Sequence, residues 1–119
     1  MKPLTKKEEE IMDFFWEKGP LFVKEIVALY NEPRPHVNTV STFVRILENR
    51  GFVKHEALGG SYRYYAAINQ AEYRRRTLKH VIGKFFNNSY LGMVSSLVKE
   101  EEISLDELKE LIRQVEEQS

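Results

Sequence analysis

A chain of 119 residues with 18 basic and 18 acidic side chains and no cysteine has room for one domain, or for a small domain with an appendage, and little for an elaborate active site. The missing cysteine excludes disulfides, thiolate metal sites and cysteine nucleophiles together. A formal net charge of zero sets the chain apart from strongly basic nucleic-acid binders, so any nucleic-acid contact has to come from a local patch. No run approaches the roughly 18 apolar residues of a membrane span, and Met1-Lys2-Pro3-Leu4-Thr5 lacks the apolar core of a secretory signal. The expectation is a cytoplasmic chain with no membrane insertion of its own.

In chain order, Leu4-Thr5-Lys6-Lys7-Glu8 has the form of a capping box preceded by an apolar residue, which starts a first helix running to about Lys18. Ile11, Met12, Phe15 and Trp16 make its apolar stripe, Phe14 flanks it, and Gly19-Pro20 stops it. Val23, Ile26, Val27 and Tyr30 repeat at helical spacing and predict a short second helix, ended by Asn31 to Pro35. A third helix is predicted from about His36 to Arg50, with Gly51 as its stop. Phe52 to Ala57 and Ser61 to Ile68 read as two strands joined by Leu58-Gly59-Gly60. Three helices followed by a hairpin are the order of a winged helix-turn-helix.

Beyond Ile68 the pattern is helical throughout. Asn69 with Glu72 resembles a capping pair for a helix reaching about Phe86, and Asn87-Asn88-Ser89 breaks it. A fifth helix follows, and a sixth begins at a second capping box, Ser104 with Glu107. Their stripes are Leu78, Val81, Ile82 and Phe85, then Met93, Val94, Leu97 and Val98, then Leu108, Leu111, Ile112 and Val115. Three amphipathic helices beside a small head leave apolar surface that a second chain would cover. The expected fold class is mainly α with a small β-hairpin wing: a winged-helix DNA-binding head in residues 1–68 and a three-helix dimerisation arm in residues 69–119.

The third helix carries the functional expectation. At about 100° per residue, Val40, Phe43, Val44 and Leu47 fall on one side and Asn38, Ser41, Thr42, Arg45 and Asn49 on the other. Glu and Lys, common on solvated helix faces, are absent from that outer side. A helix in the major groove needs side chains that hydrogen-bond base edges or touch a thymine methyl. His36, Asn38, Thr39, Ser41, Thr42 and Arg45 are the expected base readers, with Arg45 suited to guanine. Asn49, Lys54, His55 and Arg63 are the expected phosphate contacts. The patch is weakly basic: from Arg34 to Arg63 stand five basic residues, Arg34, Arg45, Arg50, Lys54 and Arg63, against two acidic ones, Glu48 and Glu56. A homodimer would set two such helices about one DNA turn apart, roughly 34 Å or a multiple of it, on a palindromic double-stranded operator.

Other classes fit less well. A winged-helix protein-protein interaction module without DNA binding agrees with the neutral charge, but predicts no salt-dependent binding to duplex DNA. An enzyme is not expected: His36, His55 and His80 fall on separate elements, and neither a Gly-rich phosphate loop nor a nucleophile elbow is present. No metal or cofactor is expected, and Glu100-Glu101-Glu102 reads as a solvated run between helices.

The order of Leu4-Thr5, Ile11-Met12, Trp16, Gly19-Pro20, Lys24-Glu25-Ile26, Thr39-Val40, Leu47, Gly51-Phe52-Val53, Tyr62-Arg63-Tyr64-Tyr65 and Ser104-Leu105-Asp106-Glu107-Leu108 resembles the BlaI/MecI family of penicillinase repressors along nearly the whole chain. The resemblance implies a dimeric winged-helix repressor of antibiotic-resistance or related stress genes. It also implies a membrane sensor protease as a partner that triggers cleavage in the dimerisation arm, at a place matching Ser96-Leu97, where this chain departs from the Asn-Phe bond cut in staphylococcal members. Family members often carry arginine where Ile46 stands, so Arg45 is expected to substitute from one position earlier and to alter the preferred operator.

Overall fold

A computed structural model describes residues 2–100 and 102–118, with the side chains of residues 111, 112 and 114–118 outside the description. Glu101 of the carboxylate run and the side chains of Leu111, Ile112 and Val115 in the predicted dimerisation stripe therefore lie outside the described residues. The elements follow in the order α1 (Lys6–Lys18), β1 (Leu21–Phe22), α2 (Val23–Leu29), α3 (Val37–Asn49), β2 (Val53–Leu58), β3 (Ser61–Ala66), α4 (Gln70–Phe85), α5 (Tyr90–Lys99) and α6 (Leu105–Gln118). The fold is mostly helical with a small three-stranded antiparallel sheet of order β1-β3-β2, consistent with a winged helix. Among the described residues no helix is long and apolar enough to cross a membrane.

The chain divides into two compact units, Met1–Arg76 and Thr77–Ser119. In the first, α1 starts at the reciprocal box expected there. The Thr5 amide donates to Glu8 Oε1 at 2.8 Å and the Glu8 amide to Thr5 Oγ1 at 3.2 Å, which satisfies two donors that a helix start leaves open. Gly19, at φ 84°, closes the helix and its amide bonds to the Phe15 carbonyl. Ile11, Met12 and Phe15 of α1, Ile26 of α2, and Val40, Val44 and Leu47 of α3 meet in one core with Phe52, Val53 and Tyr64. Full burial of side chains of this size contributes roughly 1.5–3 kcal/mol each. Trp16 Nε1 donates to the Ile68 carbonyl at 2.8 Å, and Tyr73 in the first turn of α4 lies against Trp16 at a 32° tilt and meets Phe52 edge-on.

Three local departures from the sequence reading have physical reasons. The second helix ends at Leu29, and Tyr30 is already extended, with ψ 148°. Leu58 belongs to the strand, because its pairing with Ser61 leaves a two-residue turn, Gly59-Gly60, with both φ values positive at 59° and 79°, as a tight hairpin of that length requires. The sheet also gains β1, whose Leu21 and Phe22 pair with Tyr64 and Arg63 of β3.

At the end of α3 the Phe52 amide bonds to the Leu47 carbonyl at 2.9 Å and the Gly51 amide to the Glu48 carbonyl at 3.0 Å. This is the paired closure that needs a left-handed residue between, and Gly51 sits there at φ 82°. It turns the chain from α3 directly into β2. Only Val53 of β2 is buried, so the hairpin extends away from the core as a wing.

In the second unit, Asn87 and Asn88 adopt φ values of 50° and 63° and break the helical run. Ser89 caps α5 by accepting from the Gly92 amide at 2.9 Å, and Ser104 and Glu107 form a reciprocal box at the start of α6. The start of α4, still within the first unit, has only half of such a box. Asn69 Oδ1 accepts from the Glu72 amide at 2.8 Å, while the Glu72 carboxylate is taken by Arg76 at 2.9 Å.

Candidate nucleic-acid interface

The side of α3 opposite Val40, Val44 and Leu47 faces solvent. His36, Asn38, Thr39, Thr42, Arg45 and Asn49 are exposed and Ser41 is half-buried. The structure thus brings all the predicted base readers onto or beside one helix face. His36 is the cap residue: its Nδ1 accepts from the Asn38 amide at 3.0 Å, which commits that nitrogen and leaves the rest of the ring outward. Thr42 Oγ1 donates back to the Asn38 carbonyl at 2.9 Å. Arg45 folds along the helix toward Ser41, with Nε 3.4 Å from its carbonyl and Nη2 3.3 Å from its hydroxyl. These long contacts hold the guanidinium loosely over the first half of the helix.

The predicted phosphate contacts differ in their freedom. Lys54 and Asn49 are exposed, and among the described residues no ion pair holds Lys54. His55 Nδ1 bonds to the Glu48 carboxylate, and the His55 ring also lies 4.4 Å from that of Tyr62. Arg63 Nε donates to Glu56 Oε1 at 3.0 Å, directly across the β2–β3 register. Arg63 is therefore paired within the wing, whereas, among the described residues, Lys54 on the same hairpin is not.

Tyr64 lies beneath this surface. Burial pushes its phenol above the ordinary value, the Glu48 carboxylate adds to the rise, and Arg45 partly opposes it, so Tyr64 stays neutral. Between the first turns of α2 and α3 and the wing runs an open groove of about 760 Å³, bordered by Val23, Lys24, Val37, Asn38, Ser41 and Tyr62.

From sequence, Ile46 figures only as a departure from the family's arginine and not among the expected base readers. It is 40% exposed, one turn beyond Thr42 on the outer part of α3, and borders a shallow cleft with Phe43, Lys2 and Pro3. The signal was available: Ile46 falls outside the stripe of Val40, Phe43, Val44 and Leu47 that the helical period defines.

In the second unit, Leu78, Phe85 and Leu97 are exposed, while Val81, Met93, Val94, Val98 and Leu108 are half-buried. Ile82 is 1% exposed within the single chain. Ser96 and Leu97, the predicted cleavage place, lie inside α5.

The sequence profile of the penicillinase repressor family matches residues 4–117. The chain is 24% identical over 109 residues to the methicillin resistance regulatory protein MecI of Mammaliicoccus sciuri, covering 91% of this chain and 89% of that one. To MecI of Staphylococcus aureus strain N315 the identity is 23% over the same length and coverage. To the penicillinase repressor of Bacillus licheniformis it is 21% over 115 residues, 96% of this chain and 90% of that protein. A match that takes in the head, the wing and the helical arm together assigns the chain to a family of repressors: it belongs to the penicillinase repressor family.

Proposed function

We propose that this chain is a transcriptional repressor that binds a palindromic operator as a homodimer, with α3 in the major groove and the β2–β3 hairpin against the sugar-phosphate backbone. The observation that carries the reading is the outer face of α3. Its packing is borne by Val40, Val44 and Leu47, and what remains outward is short, polar and rich in donors. Arg45 is held by two long contacts to Ser41, so it swings out to a guanine at little cost. Asn38, Thr39, Ser41 and the free edge of His36 address neighbouring bases. Asn49 and Lys54 bind phosphate, and His55 and Arg63 join them by exchanging carboxylate for phosphate. In this reading residues 1–68 form the DNA-binding head, and residues 69–119 form the dimerisation domain that sets half-site spacing.

The dimer is supported by α5. Its sequence Tyr90-Leu91-Gly92-Met93-Val94-Ser95-Ser96-Leu97-Val98-Lys99 is strongly apolar, yet none of its residues is buried, and Leu91 is 77% exposed. A second copy of the same surface is the simplest cover for such a face. Repression is relieved, on the family resemblance, when a partner sensor protease cuts the arm at Ser96-Leu97. Because that bond lies in a helix, α5 has to unwind locally before a protease can take it as extended chain. An intact, DNA-free pool of the protein during induction would rule out the cleavage step.

The test is a binding selection from a random duplex library at two salt concentrations, with wild type and with Arg45→Ala. An enriched inverted repeat that Arg45→Ala relaxes at one base pair per half-site is expected, with affinity falling steeply as salt rises. No enrichment and no salt-dependent retention would replace the repressor with a protein-interaction module.

A further inference from the structure

We propose that Thr42 and Ile46 together read the C5-methyl group of a thymine, so that each operator half-site carries an obligatory T·A pair beside the base pair contacted by Arg45. The inference rests on the proposed DNA-reading role of α3 and names the base that its second half selects. Residues 42 and 46 are one turn apart and share a face of the helix. Thr42 spends its hydroxyl proton on the Asn38 carbonyl at 2.9 Å, so outward it offers its methyl group and no donor. Ile46 is 40% exposed although the packing of α3 is carried by Val40, Val44 and Leu47. Arg45 lies toward Ser41, in the N-terminal direction, so its own guanidinium is held away from residue 46. An apolar strip on a reading helix has one complementary group in the major groove, the thymine methyl.

The alternative is that Ile46 serves only to border the cleft with Phe43, Lys2 and Pro3. The experiment separates the two. The operator enriched by wild type is made with each thymine replaced singly by uracil, which deletes the methyl and keeps every hydrogen-bonding edge. Affinities are then measured for wild type, Ile46→Ala and Thr42→Ser. The expected result is one thymine per half-site whose replacement weakens wild-type binding about fourfold, the worth of one buried methyl. The same replacement costs Ile46→Ala almost nothing, and Thr42→Ser an intermediate amount. Uracil penalties that are equal in all three proteins, or absent, with the operator still enriched, overturn the inference and leave the repressor reading standing. Failure to enrich any operator overturns both.

Discussion

Arg50 Nη1 lies 2.9 Å and 3.0 Å from the two carboxylate oxygens of Glu8, joining the C-terminal cap of α3 to the first turn of α1. Glu8 is 4% exposed. The Arg50 guanidinium also donates to the Lys2 carbonyl and sits 5.0 Å over the Phe52 ring. One side chain thus ties the N-terminal segment, α1 and the start of the wing to the end of the proposed reading helix. Arg50→Ala leaves the Glu8 carboxylate buried without its cation, and removing one partner of such a pair costs about 3 kcal/mol or somewhat more. Urea unfolding at fixed protein concentration reads this directly. A loss under about 1 kcal/mol, the level of surface ion pairs, would mean that the pair contributes as a surface contact does.

The same pair makes stability depend on pH. Burial pushes the Glu8 carboxyl up, but the Thr5 amide, the Arg50 guanidinium and the Thr5 side chain outweigh it and hold the group below its ordinary value of 4.5. A carboxyl whose folded pKa is depressed adds stability that is present above 4.5 and is lost as pH falls through the folded value. The stability difference between wild type and Glu8→Gln should be constant from pH 7 to about 5 and shrink below the ordinary carboxylate range. Denaturant titrations at a series of pH values check it, and a difference that stays constant down to pH 3 would contradict the linkage.

The Glu8–Arg50 tie also marks where sequence reading runs out. Its partners are 42 residues apart, and a charge pair across that separation leaves no periodic trace. For the same reason β1 was illegible: Leu21 and Phe22 are strand only because β3 bonds to them, and two residues carry no alternation. What was legible is what local physics determines. The Thr5–Glu8 box, the Gly51 stop and the stripe of α3 each declare themselves within a few residues. The pairing of Arg63 with Glu56 is intermediate. With Gly59-Gly60 as the turn, counting back along both strands sets these two opposite, but the three-residue turn Leu58-Gly59-Gly60 expected from the sequence shifts the register by one and hides the pair.

Gly51 is needed for its backbone. At φ 82°, with open space where a side chain would begin, Gly51→Ala meets no steric obstacle and pays only for the left-handed conformation, roughly 1–2 kcal/mol. Because Gly51 sets the exit of α3 into β2, the expected readouts are that loss of stability with little change in the operator selected. A neutral or stabilising effect in thermal unfolding would mean that the turn tolerates another closure.

The wing pairing gives a prediction of opposite sign to most substitutions. Glu56→Gln removes a carboxylate from β2 and releases Arg63, which it now holds. Duplex affinity should rise severalfold at low salt and converge with wild type as salt is raised, since the gain is electrostatic. Lys54→Ala should do the reverse, weakening binding to all sequences about equally and reducing the salt slope by about one ion. Retention on duplex DNA across a salt series measures both, and a Glu56→Gln protein that binds no better at low salt would remove Arg63 from the phosphate contacts.

The helical arm gives the last prediction. Phe85 is 67% exposed and Leu97 is 41% exposed, and α5 buries none of its side chains within the chain. If a second copy covers this surface, Leu97→Asp places a charge in an apolar seam, where an unpaired carboxylate is expensive. Dimer association should weaken by about 3 kcal/mol, roughly a hundredfold rise in Kd. The first unit has its own core and should keep its near-ultraviolet spectrum. Sedimentation over a concentration series distinguishes the cases: wild type dimeric and the variant monomeric at the same micromolar concentration is the expected outcome. The variant should also bind a single half-site with affinity close to wild type while losing most of its preference for the full palindrome, because the two heads are then no longer joined. A wild type that sediments as a monomer, or a variant that remains as dimeric as wild type, would place the cover for α5 elsewhere.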